Sequence, residues 1–125
     1  MKKNTVIWLL LSGLIIAGLV WLVLIPAKPG KLDAFATCIK DSGATFFGAF
    51  WCPHCQNQKA MFGSSAKLLP YKECSTPDGK GQLPVCTDAG VTGYPTWEFA
   101  DGSREGGEVS LERLALKTSC TLPTT

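Results

Sequence analysis

Two cysteines, Cys52 and Cys55, stand in a Cys-x-x-Cys spacing with Pro53 and His54 between them, directly after the apolar run Phe46-Phe47-Gly48-Ala49-Phe50-Trp51. The run reads as a buried strand, and the residues after it as the start of a helix. Pro suits the first helical position, where its missing N–H costs no hydrogen bond, and Gln56-Asn57-Gln58-Lys59 continues in helix-compatible residues. Cys52 then lies at a helix N-terminus, where unpaired N–H groups and the positive end of the helix dipole favour a thiolate. His54, when protonated, adds a positive charge beside it. The chemistry predicted is thiol–disulfide exchange, with Cys52 as the nucleophile and Cys55, one turn further in, as the resolving thiol.

The remaining elements must hold that pair. Leu32, Phe35, Ala36 and Ile39 recur at helical spacing over Leu32 to Asp41, and Ser42-Gly43 ends that helix. The helix opening at Pro53 is expected to run to about Leu69 with a bend at Gly63-Ser64-Ser65, and Met61 on it reads as core. Tyr71-Lys72-Glu73-Cys74 reads as a second strand, followed by a loop from Ser75 to Gly81. Leu83 to Ala89 is a short helix closed by Gly90. Thr96 to Ala100 and Arg104 to Gly107 form a hairpin around Asp101-Gly102-Ser103. Ser110 caps the last helix, whose apolar side is Leu111, Leu114 and Leu116.

The Cys-Pro-His-Cys segment resembles the active site of the thioredoxin superfamily, and Pro-His between the cysteines is of the type found in DsbA-like oxidants. A second family mark is Gly93-Tyr94-Pro95-Thr96, with Tyr94 lying 39 residues after Cys55. The resemblance implies an α/β thioredoxin-like fold, a cis Pro95 facing the cysteine pair, and a Tyr94 backbone that aligns substrate beside the sulfurs. Trp51 and Trp97 are read as packing and groove residues. The run from about Lys31 to Cys120 looks like the thioredoxin-like domain associated with bacterial vitamin K epoxide reductase homologues, and like its free-standing, membrane-anchored relatives. One position departs from the family. Thioredoxins carry a buried acid six residues before the first active-site cysteine, where it assists proton transfer at the second thiol, and Phe46 stands there in this chain. Lys59 or a water is the substitute the sequence offers.

An appendage precedes the domain. Thr5 to Ile25 contains no charged residue, and 21 residues as a helix span roughly 31 Å, the hydrocarbon thickness of a bilayer. The expected organisation is a cytoplasmic N-terminus over 1–4, a transmembrane helix over 5–25, a linker over 26–31 and the thioredoxin-like domain over 32–122. A cleaved secretory signal is the rival reading. The apolar core exceeds the usual signal range of about 7–15 residues, and Ile25-Pro26-Ala27-Lys28 offers no small-x-small cleavage site, so an uncleaved anchor is adopted. Lys2 and Lys3 precede the segment, which orients the N-terminus toward the cytoplasm and the domain toward the periplasm, thylakoid lumen or cell exterior. Trp8 and Trp21, near its two ends, suit interfacial positions.

The chain carries 12 Lys and Arg against 10 Asp and Glu, and from Lys31 onward nine against ten, so the exported part has no basic stripe for nucleic acid. Six cysteines in so small an exported domain suit an oxidising compartment. With Cys52 and Cys55 as the redox pair, Cys38, Cys74, Cys86 and Cys120 leave three pairings open. Cys74 with Cys86 is favoured as a staple, because the two bracket the Pro/Gly loop and closing about a dozen residues is worth about 3 kcal/mol; an electron relay to the active site is the competing role. Cys38 with Cys120 follows by elimination, although thioredoxin topology usually places the first and last helices on opposite faces.

The functional expectation is a membrane-anchored thiol–disulfide oxidoreductase that needs no cofactor or metal. A zinc site is disfavoured, since no second Cys-x-x-Cys or His-x-His accompanies the first. Its substrates would be thiols and disulfides of exported proteins, and its redox partner an integral membrane vitamin K epoxide reductase homologue. Pro-His between the cysteines, Phe46 in place of the acid and that resemblance tilt the reading toward oxidation. The alternatives are a reductase of the same fold fed by a membrane electron carrier, and an anchored thiol- or copper-binding module without turnover.

Overall fold

The computed structural model describes residues 2–26 and 28–124. Helix α1 covers Lys3–Leu24, starting two residues before the uncharged stretch because Lys3 and Asn4 continue the same turn. It is long and apolar enough to cross a membrane, and none of its residues is buried.

The domain is a four-stranded mixed sheet in an α/β arrangement, as expected for a thioredoxin-like fold. In chain order it comprises α2 (Asp33–Asp41), β1 (Thr45–Gly48), α3 (Pro53–Ala60), a 3-10 segment (Gly63–Leu68), β2 (Tyr71–Glu73), α4 (Pro84–Asp88), β3 (Thr96–Glu98), β4 (Arg104–Gly106) and α5 (Leu111–Thr118). The strands lie in the order β2-β1-β3-β4. β1 pairs parallel with β2, Phe46 opposite Tyr71 and Gly48 opposite Glu73, and antiparallel with β3, Phe46 opposite Trp97. Central β1 thus carries the chain into the cysteine pair from the best-supported part of the sheet.

Alternation along β1 divides the core. Phe46 joins Trp97, Phe35, Ala36, Ile39, Phe62 and Leu114 on one face, whereas Phe47 joins Cys74, Cys86 and Val91 on the other. Full burial of each large apolar side chain contributes roughly 1.5–3 kcal/mol. Helices α2 and α5 both feed the Phe46 cluster, and the Cys38–Cys120 disulfide links them, with Cα atoms 5.9 Å apart. The first and last helices of this domain therefore share a face, contrary to the opposite-face placement expected from topology. The second bridge, Cys74–Cys86, ties the end of β2 to α4.

Three local expectations are corrected. The helix from Pro53 stops at Ala60 rather than continuing bent to Leu69, because Gly63 takes φ +54°, a left-handed value that interrupts the helical ladder. Beyond the break the chain forms the 3-10 segment, whose buried Ser65 accepts a hydrogen bond from the Leu32 N–H at 3.1 Å, fastening the first residue of the domain. Met61 sits at the surface of that break, 36% exposed, and is not core. Leu116 is 76% exposed: it lies two residues from fully buried Leu114, and a separation of two turns a side chain to the other side of a helix. The Ser110 cap of α5 is present, its hydroxyl accepting from the Arg113 N–H at 3.2 Å.

Candidate active site

The end of β1 delivers Cys52 to the N-cap of α3, with Pro53 in the first turn. The extended backbone at Cys52 turns its sulfur over the open helix end, where it accepts from the Cys55 N–H at 3.4 Å. Cys52 and Cys55 are both unbonded, so the structure holds the dithiol form. Cys55 is nearly completely buried, and Cys52 only slightly less so. Burial pushes the Cys55 thiol up to about 12; the hydrogen bond to Cys52 adds to this, while the Ala49 backbone and the Lys59 ammonium pull the other way. Both cysteines thus belong to the buried core, Cys52 at the open end of α3 and Cys55 one turn behind it.

Across from them, the Tyr94–Pro95 peptide bond is cis, and the Cys52 thiol approaches the Tyr94 carbonyl oxygen at 3.7 Å. The Tyr94 ring is fixed from behind by Gln82, whose Nε2 donates to the Tyr94 hydroxyl at 2.6 Å and to the Val91 carbonyl at 3.0 Å. Trp51 meets the Tyr94 ring edge to face, centroids 6.0 Å apart, and donates from Nε1 to Ser75 Oγ at 2.9 Å. Trp51 and its neighbour Phe50 remain half exposed, which leaves an apolar rim beside the thiols. Trp97 is fully buried and belongs to the core alone.

His54 points its Nδ1 at Glu108 Oε1, 2.7 Å away, and Asn57 donates to the same oxygen at 3.0 Å. Those two bonds hold the exposed Glu108 carboxyl below its ordinary range. Cys74 and Cys86 are bonded and wholly enclosed, so no thiol can reach that disulfide in the folded domain. Enclosure suits a staple and not a relay.

Several residues at the site carried no signal of their own in the sequence. Gln58, one of a polar run, is fully buried: its Oε1 accepts from the Val109 N–H at 2.7 Å and from Trp97 Nε1 at 3.3 Å, while its Nε2 donates to the Val109 carbonyl at 2.9 Å. A position three residues after Cys55 on the same helix face was the available hint. Glu108 and Gln82 come from loops. Tyr71 and Glu73 come from β2, the Tyr71 hydroxyl donating to Glu73 Oε2 at 2.8 Å. Lys59, which the sequence did offer as a substitute for the missing acid, lies with its Nζ 3.3 Å from the centroid of the Tyr71 ring.

Chemically, this is a buried dithiol whose outer sulfur sits at a helix N-terminus beside a carbonyl and a cis proline, an arrangement able to exchange disulfides. No family model matches the chain. It is similar to the Arabidopsis thaliana protein named thiol-disulfide oxidoreductase LTO1, with 46% identity over 94 residues, or 71% of this chain and 24% of that protein. The chain thus spans about a quarter of that relative's length. The similarity and the dithiol together support a thiol–disulfide oxidoreductase.

Proposed function

We propose that the protein is a membrane-anchored thiol–disulfide oxidoreductase that promotes disulfide formation in exported proteins. The observation that carries this reading is the asymmetric dithiol: Cys52 at the N-cap of α3 and Cys55 buried one turn behind it. In the oxidising direction, a substrate thiolate attacks the Cys52 sulfur of the Cys52–Cys55 disulfide and forms a mixed disulfide. A second substrate thiol then releases Cys52, which leaves the substrate oxidised and the domain as the dithiol. Pro53 shapes the helix start, His54 tunes the thiolate, and Trp51, Tyr94 and Pro95 align the substrate chain. Helix α1 supports the anchoring, with the domain on the exported side.

The dithiol must then be reoxidised. An integral membrane redox protein resembling vitamin K epoxide reductase is the partner we assign, because an anchored domain meets membrane thiols at high effective concentration. In that return step Cys52 attacks a partner disulfide, and Cys55 resolves the resulting mixed disulfide. The Cys55→Ala variant removes the intramolecular exit, so conjugates through Cys52 should accumulate in the native membrane. Non-reducing gels and mass spectrometry identify them, with Cys52→Ala/Cys55→Ala as control. A dominant integral membrane conjugate beside a smear of exported proteins is expected. Conjugates with soluble exported proteins alone would sink the oxidase-partner reading and favour an isomerase or an externally fed reductase.

A further inference from the structure

The resolving step leaves one proton to account for. When Cys55 attacks the Cys52 sulfur of a mixed disulfide, the Cys52–Cys55 bond forms and the bond from Cys52 to the partner sulfur breaks. The partner leaves as a thiolate with the electron pair, and the Cys55 proton must go to a base. Burial holds that thiol in its protonated form near neutral pH. The strand position that could have carried an acid toward it is filled by the Phe46 ring, stacked on Trp97.

A polar pair from the neighbouring strand reaches the same place. The point where a Cβ on Gly48 would lie is 2.8 Å from Tyr71 Cε2, 3.0 Å from Cys55 Sγ and 3.4 Å from the Tyr71 hydroxyl, so thiol and phenol border the same space beside a residue with no side chain. The phenol donates to Glu73 Oε2 at 2.8 Å. A carboxylate only accepts, so the phenol proton points at Glu73 and the phenol oxygen keeps a lone pair able to accept a further proton. Glu73 is itself fixed, its Oε1 accepting from the N–H groups of Ser75 at 2.9 Å and Phe50 at 3.2 Å. Burial, reinforced by that carboxylate, holds Tyr71 above the usual phenol range, which keeps it a neutral hydroxyl able to pass a proton on. The other charged or titratable groups facing Cys55 are Cys52 at the N-cap of α3 and Lys59 within that helix; β1 contributes only Thr45, Phe46, Phe47 and Gly48.

We propose that Tyr71 and Glu73 form the proton exit of Cys55: the thiol proton passes to the Tyr71 oxygen as the Tyr71 proton passes to Glu73, which becomes a carboxylic acid. The path runs backward when the Cys52–Cys55 disulfide is reduced. Tyr71 and Glu73 act here on the family's reaction through a different strand. The assignment rests on Cys52 and Cys55 being an exchanging pair, the function proposed for them.

The test uses the full reduced chain in detergent micelles, mixed by stopped flow with dithiobis-nitrobenzoic acid. Capture by Cys52 releases one coloured thiolate, and resolution by Cys55 releases a second. Tyr71→Phe and Glu73→Gln should slow the second release relative to the first by on the order of a hundredfold at pH 7, the scale of a lost general base. Their second phase should climb with pH more steeply than that of the unmodified chain, because hydroxide replaces the missing base. Glu73→Gln keeps the shape but turns an amide donor toward the Tyr71 oxygen, and Glu73→Asp should recover part of the rate. A second phase with unchanged rate and pH profile in both variants would overturn the proton exit and leave the exchange reading intact. Equal slowing of both phases would mark a structural role and overturn it too. Release of only one thiolate by the unmodified chain would instead overturn the exchange reading itself.

Discussion

Phe46 and Trp97 stack face to face, ring centroids 4.8 Å apart and planes 10° from parallel, at paired positions of β1 and β3. Tyr71 closes the other side of Phe46 edge-on at 5.1 Å. The place where thioredoxins keep an acid is therefore a filled aromatic core here. Phe46→Asp should not restore a proton acceptor. It should destabilise the domain by at least about 3 kcal/mol, from lost aromatic packing together with an unpaired buried charge. Denaturant unfolding measures the loss, and a variant as stable as the parent would mean that the carboxylate finds a partner the present packing does not offer.

His54→Ala should make the Cys52–Cys55 disulfide less oxidising. A cationic or donor group near a thiolate stabilises the reduced form, so its removal lowers the reduction potential, by about 30 mV for 1.4 kcal/mol of lost interaction. The Glu108 contact fixes where the imidazole sits. Equilibration against glutathione reads the potential, and an unchanged or higher value would remove His54 from the tuning of this pair.

The Cys74–Cys86 bond closes a separation of 12 residues and the Cys38–Cys120 bond one of 82. Cys74→Ser and Cys86→Ser should each cost about 3 kcal/mol, and the double variant no more than either alone, because one bond can be lost only once. Breaking Cys38–Cys120 should cost more, about 4.5 kcal/mol in the same chain-entropy model. Thermal unfolding of the single and double variants distinguishes this from additive losses, which would dissolve the pairing.

Alkaline pH should weaken the reduced domain through Cys55. Its folded thiol is raised from 9.0 to about 12, so its contribution to stability is fully present below pH 9 and is lost as pH climbs toward 12, where the unfolded chain has already given up the proton. Tyr71 shifts in the same direction, so the comparison that isolates Cys55 is reduced parent against Cys55→Ala, followed by melting temperature across that window. The parent should fall more steeply than the variant; parallel curves would mean that the thiol ionises as freely in the fold as out of it.

What the sequence determined was local. A Pro at a helix start after a cysteine, an apolar run feeding it and a Ser cap each act within a few residues, so the placing of Cys52 and Cys55 at a helix start and the order of elements could be read directly, whereas the role of Pro95 came from the resemblance of Gly93-Tyr94-Pro95-Thr96 to the thioredoxin motif. The uncharged 21-residue stretch was equally legible, because length and composition alone set its ability to span a bilayer. What only the tertiary structure decided depends on register and on which helices share a face. The parallel pairing of β1 with β2 sets Tyr71 beside Phe46 and Glu73 beside Gly48. Side chains two apart on a strand share a face, which sets Tyr71 and Glu73 together beside Gly48, where the Tyr71 hydroxyl donates to Glu73. Cys38 with Cys120 was reached from the sequence by elimination alone; the packing of α2 and α5 on one face is what brings the two together across 82 residues. Long-range pairings of this kind are selected by the fit of the whole core, to which no single segment of the chain holds the key.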